Sequence, residues 1–172
     1  MFKCQSQVLE GAADIGLTTD PMHPELSFLP LFQDALCFVC RDDHSLASYE
    51  QVTWEQVHQY ANIGVSEGNS LRQLTEGTLT SLGLSHSPDM IVSHTLTMLG
   101  MVANGFGASV STKSVSYLNN EKRIKFITII SPVQYRVIGL LKKKSNKSSL
   151  IDDFYQSLQK QVEASTRLER RA

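Results

Sequence analysis

Apolar positions along the chain fall into two alternating rhythms, one of helical spacing and one of short continuous runs. Phe2, Gln5, Val8 and Leu9 share a helical stripe that Gly11 can end. Ala13 to Thr18 reads as a short buried strand, with Asp14 its one charge, and Pro21, Pro24 and Pro30 punctuate the loop that follows. Leu36-Cys37-Phe38-Val39-Cys40 is an unbroken apolar run of strand length. Thr53 and Gln56 have capping-box spacing ahead of a short helix, which hands over to a strand from Ala61 to Val65. After Ser66-Glu67-Gly68-Asn69, a longer helix presents Leu71, Leu74, Thr78 and Leu82, with Ser70 and Gln73 as its box and Gly83 as its stop.

The second half repeats the pattern. Met90 to Val92 is a short strand, and Leu96, Leu99, Val102, Ala103 and Phe106 form a helical face that Gly105 and Gly107 close. Strands follow at Ala108 to Ser111, Ile124 to Ile130 and Tyr135 to Leu141, and Lys142 to Lys147 reads as a solvated loop. A last helix begins at Ser148 or Ser149 and carries Ile151, Phe154, Tyr155, Leu158 and Val162 on one stripe. Strands alternating with helices predict an α/β protein whose strands are mostly parallel and covered by helices.

Composition narrows the class. Sixteen basic against 17 acidic residues give a net charge of −1, which argues against a basic nucleic-acid module within these residues. The chain is 41% hydrophobic and 19% charged, the balance of a globular domain rather than a disordered one. Three cysteines do not make a disulfide framework, and the N-terminus lacks signal-peptide features, so a cytoplasmic location is expected. The uncharged stretch from Met90 to Thr112 holds too many polar residues and glycines to span a membrane.

Short motifs offer little chemistry. Gly64-Val65-Ser66-Glu67-Gly68 matches the G-x-S-x-G nucleophile elbow, but an elbow needs its helix to begin at once, whereas the start signal here lies at Asn69 or Ser70. A small-residue turn is the preferred reading, and no catalytic residue is assigned. Cys37 and Cys40 are three apart on a strand, pointing to opposite faces, so they read as buried structural thiols. The histidines lack ligand spacing, and Gly105-Phe106-Gly107 lacks the dinucleotide fingerprint, so neither metal nor cofactor is expected.

Hydroxyl-rich turns are more informative. Thr18-Thr19, Ser66 to Ser70, and Ser93-His94-Thr95 all stand where a strand hands over to a helix or loop. In an open α/β sheet these are the strand ends where ligands bind, and helix N-termini there offer free N–H groups to a small anion. Thr18, Thr19, Ser66, Gly68, Asn69, Ser70, His94 and Thr95 are therefore the candidate binding residues. Helix capping is the competing role for each of them.

Four segments carry a family resemblance. Val8-Leu9-Glu10-Gly11-Ala12-Ala13-Asp14-Ile15-Gly16-Leu17 resembles the V-x-x-G-x-A-D-I-G-I stretch of LysR-type transcriptional regulators. Leu29-Pro30-Leu31-Phe32-Gln33-Asp34-Ala35-Leu36 resembles P-L-F-x-D-x-L, and His44-Ser45-Leu46-Ala47 resembles H-P-L-A with serine for proline. Met98 to Ser109 resembles M-V-A-x-G-x-G-V. The ordered set, collinear to about Val162, is what makes the resemblance specific.

The resemblance implies an effector-binding domain with a fold like type 2 periplasmic binding proteins: two α/β lobes of mixed, mostly parallel sheets, joined by two crossover strands. Residues 35–130 would form lobe II, while 1–34 and 131–172 would supply lobe I. It implies a small, anionic effector held between the lobes, no covalent chemistry, and assembly as a homodimer or homotetramer. In the family the positions of Thr18 and of Ser66 to Ser70 commonly touch effector. DNA would be contacted only through a winged helix-turn-helix that these residues do not include, and the first strand-helix-strand of lobe I is also expected upstream of Phe2. A transport-type solute-binding protein of the same fold, and less so a hydrolase using Ser66, are the alternatives.

Overall fold

The computed structural model describes residues 2–19, 23–85, 87–118 and 122–169. In chain order the elements are α1 (Phe2–Leu9), β1 (Ile15–Thr19), β2 (Leu26–Arg41), β3 (Gln51–Thr53), α2 (Trp54–Tyr60), β4 (Ala61–Val65), α3 (Ser70–Ser81) and β5 (Met90–Val92). They continue with α4 (Thr95–Ala103), β6 (Ala108–Thr112), α5 (Lys113–Ser116), β7 (Ile124–Ile130), β8 (Tyr135–Lys143) and α6 (Ser149–Glu169). Two compact units result: Met1–Gln33 with Val137–Ala172, and Asp34–Arg136.

The second unit is built on strands in the order β3-β7-β2-β6-β4-β5. β4 runs parallel to β5 and β6, and β3 parallel to β7, whereas β2 is antiparallel to both β6 and β7. The sheet is thus mixed; helix–strand alternation foresees the parallel pairs, not the antiparallel insertion of β2. Leu36 to Cys40 are all buried, as a central strand covered on both faces requires. Trp54 and Val57 of α2 are fully enclosed, and the Trp54 indole Nε1–H donates to the Pro132 carbonyl at 2.8 Å.

Two sequence expectations change here. The loop assigned through Pro30 is strand from Leu26 onward, with Pro30 exposed inside it; proline enters a strand where no neighbour needs its missing N–H. On α4 the buried face is Met98, Leu99, Val102 and Ala103, whereas Leu96 and Phe106 are 68% and 61% exposed. Leu96 lies roughly 90° from the centre of that face at 100° per residue, and Phe106 comes after the helix has ended.

The first unit pairs β1 antiparallel to β8, from Ile15 opposite Lys142 to Thr19 opposite Ile138, with β2 on the other side of β8. Val8, Leu26 and Leu141 form its small core. Lys142 and Lys143, expected in a solvated loop, end β8 and fasten its helices. Lys142 pairs with Asp152 and lies over the Tyr155 ring, and the Tyr155 hydroxyl donates to Leu140 O at 2.6 Å. Lys143 Nζ donates to Leu9 O at 2.7 Å, a cation at the C-terminal end of α1.

Candidate functional site

β4 and β5 are neighbours, and Val65 is level with Val92. Their C-terminal ends therefore release Ser66 and Ser93 side by side, and Ser66 N donates to Val92 O at 2.9 Å. β4 also neighbours β6, so Thr112 ends at the same edge. The chain moves one way along the sheet from β4 to β5 and back the other way from β5 to β6. Right-handed crossovers then place α3 and α4 on opposite faces, and their N-termini flank one strand edge.

Ser66, Gly68, Asn69 and Ser70 form one side of this edge, and His94 and Thr95 the other. Gly68 sits at φ +80°, a conformation that suits glycine. Asn69, not Ser70, caps α3: its side-chain oxygen accepts from Leu71 N at 2.9 Å. The expected Ser70–Gln73 box gives way because the helix begins one residue earlier than that box requires, at Ser70 itself. α4 differs, since His94 stands at its N-cap without a side-chain capping bond. The first-turn N–H groups of Thr95 and Leu96 have no intrahelical acceptor by geometry. Thr18 and Thr19 end β1 in the first unit, opposite Gly139 and Ile138.

The edge does not resemble a nucleophile elbow. Three residues separate Ser66 from the start of α3 at Ser70, whereas an elbow carries its serine directly into the helix.

Beside Thr112 lies a polar cluster that the sequence motifs did not single out as functional. Asp34 is only 3% exposed. It accepts from Ser114 N at 2.9 Å, Ser114 Oγ at 2.7 Å, and Arg136 Nε and Nη2 at 3.1 and 2.8 Å. Arg136 Nη2 also donates to Thr112 Oγ1 at 3.1 Å. Burial alone would raise the Asp34 pKa, but the bonds from Ser114 and Arg136 outweigh it and hold the carboxyl below its ordinary value. An aspartate and an arginine about a hundred positions apart give no local signal of pairing.

These features define a class: an open α/β binding domain whose polar strand ends and helix N-termini face one edge. Its membership is more specific. Residues 2–163 match the family described as the LysR substrate binding domain, and the chain belongs to that family. It is 28% identical over 142 residues to the uncharacterized HTH-type transcriptional regulator YbhD of Escherichia coli K12, a match covering 82% of this chain and 45% of that protein. The chain thus spans under half the length of this relative. The effector binding domain of QuiR in complex with shikimate superposes with a TM-score of 0.77 at 21% identity, over 91% of this chain and 74% of that one. Full-length CbnR complexed with target DNA gives 0.80 at 15% identity, over 94% and 57%. Among the described residues no helix is long and apolar enough to cross a membrane.

Proposed function

We propose that this chain is the effector-sensing part of a LysR-type transcriptional regulator, taking a small anionic metabolite at the strand edge formed by Ser66 to Ser70 and His94–Thr95. The observation that carries this reading is the uncapped N-terminus of α4 beside the Ser66 turn. Unsatisfied N–H groups and the positive end of a helix dipole select for negative charge. The family membership and the shikimate held by QuiR, a carboxylate, support the same reading. Thr18 and Thr19 are proposed as further contacts, on the family resemblance.

In this account the protein reports rather than reacts. The effector binds one conformation more tightly than another, and the shifted population is passed to helix-turn-helix domains that touch DNA in the assembled, homo-oligomeric, cytoplasmic regulator. The test is a thermal-shift screen of small carboxylates and oxyanions. At least one raises Tm, a ligand at 100 times its Kd adding about 2.7 kcal/mol, and Ser66→Val removes the shift while the unliganded Tm stays in place. A screen with no hit, or undiminished binding by Ser66→Val, overturns the reading. Ester turnover lost in Ser66→Ala replaces it with the hydrolase alternative.

A further inference from the structure

The second unit holds a cavity of about 410 Å³ whose lining includes no residue of the α3 or α4 N-termini, within the range of small-molecule pockets. Its floor follows from strand register. Cys37 is level with Thr128 on β7 and with Ser111 on β6. Residues two apart share a face, so Phe126, Thr128 and Ile130, with Ala35 and Cys37, lie in rows on one side of the sheet, and all five line the cavity. This floor is apolar apart from Thr128. The rim is polar: Lys113 stands at the end of β6, with Gln51 and the half-exposed Tyr135 across from it.

Two observations point to an occupant. Lys113 is exposed and makes no ion pair among the described residues, and no carboxylate lines the cavity. Of the two acids that adjoin the lining in sequence, Asp34 is committed to Arg136 and Ser114, and Glu50 is exposed and outside the lining. An unpaired cation above an apolar floor matches a molecule with an apolar ring and a single carboxylate.

We propose that this cavity is a second ligand site, lined by residues other than those of the Ser66 and His94 turns, for small amphipathic carboxylates of the aryl-acid type. The ring lies on the Phe126–Ile130 face and the carboxylate meets Lys113.

The experiment is an amide NMR titration of the full chain with phenylacetate, phenylacetamide and phenylethylammonium. Phenylacetate shifts the amides of 113–116 and 126–130, saturates, and binds at least about fivefold more tightly than the two other probes, the scale of one exposed charge pair. Lys113→Gln brings phenylacetate down to the level of phenylacetamide. Thr128→Trp, an exposed position filling the cavity, abolishes the shifts with the rest of the spectrum retained. Equal binding of all three probes, shifts confined to Ser66–Ser70 and Ser93–Thr95, or shifts that track protein concentration because the groove closes on a second copy, each overturn the proposal. Because neither Lys113 nor Thr128 belongs to the Ser66–Ser70 and His94–Thr95 turns, a negative result here leaves the sensor reading to its own test.

Discussion

Asp34 shows how much a single side chain can hold. It anchors the start of α5 through Ser114 and meets Arg136 from the far end of its unit. Because its folded pKa is depressed, it stabilises the fold above the unfolded carboxylate pKa of about 3.9, and that stabilisation is lost as pH falls through the lower folded value. Asp34→Ala should cost about 3 kcal/mol, the low end for breaking a buried pair because Arg136 is partly exposed. In urea melts the cost should be full at pH 7 and shrink toward pH 3; a variant gap unchanged across that range contradicts the account. His44 is a second structural residue within a family-like segment. Its Nδ1 accepts from Leu46 N at 3.1 Å, which requires an unprotonated nitrogen, and burial lowers its pKa accordingly. The thiols complete this scale. Burial raises Cys37 to about 12 and Cys40 to about 11, so neither forms the reactive thiolate at neutral pH. At pH 8 a thiol reagent should modify one cysteine, Cys4, in the folded protein and all three only after denaturation; rapid native labelling of three contradicts this.

At the scale of elements, ends matter more than middles. α3 stops in a Schellman motif: Leu84 N bonds Leu79 O at 2.9 Å and Gly83 N bonds Thr80 O at 3.0 Å, with Gly83 at φ +73°. α4 repeats the motif at Gly105, with Phe106 N on Met101 O at 3.1 Å. Gly83 has open space around its α-carbon, so Gly83→Ala should cost only the backbone strain, about 1 kcal/mol. Gly105→Ala meets only the far end of the Arg41 side chain, which can swing aside, and should cost about the same; a markedly lower melting temperature for Gly105→Ala than for Gly83→Ala contradicts this. These stops were legible in the sequence because glycine after an apolar helical stripe has a local cause. The α3 cap at Asn69 was harder to read, since Ser70 offered a competing box and only the final backbone decides between them. The apolar face of α4 misled for a different reason: Leu96 and Phe106 continue the stripe but lie beyond the part of the helix that meets the sheet.

For the whole molecule, the α/β class and most strands could be read from periodicity, because each strand sits in a locally apolar run. The insertion of β2 between β6 and β7 could not, since strand pairing is decided by partners far along the chain. Of the candidate residues, Ser66 to Ser70 and His94–Thr95 gather at one edge for a topological reason, the parallel neighbours β4 and β5. Asn69 is occupied as a cap, and the Asp34–Arg136 cluster appears only once both ends of the unit are brought together. The central claim, an anion held at this edge by helix N-terminal N–H groups, has a direct test in calorimetric titration of the best carboxylate from the screen into wild-type protein and Thr95→Asp. An acidic residue in the first turn of α4 complements the helix dipole and should raise unliganded stability by about 0.3–1 kcal/mol. The account predicts that this more stable variant binds the anion at least tenfold more weakly. Unchanged affinity in a stabilised Thr95→Asp would contradict it.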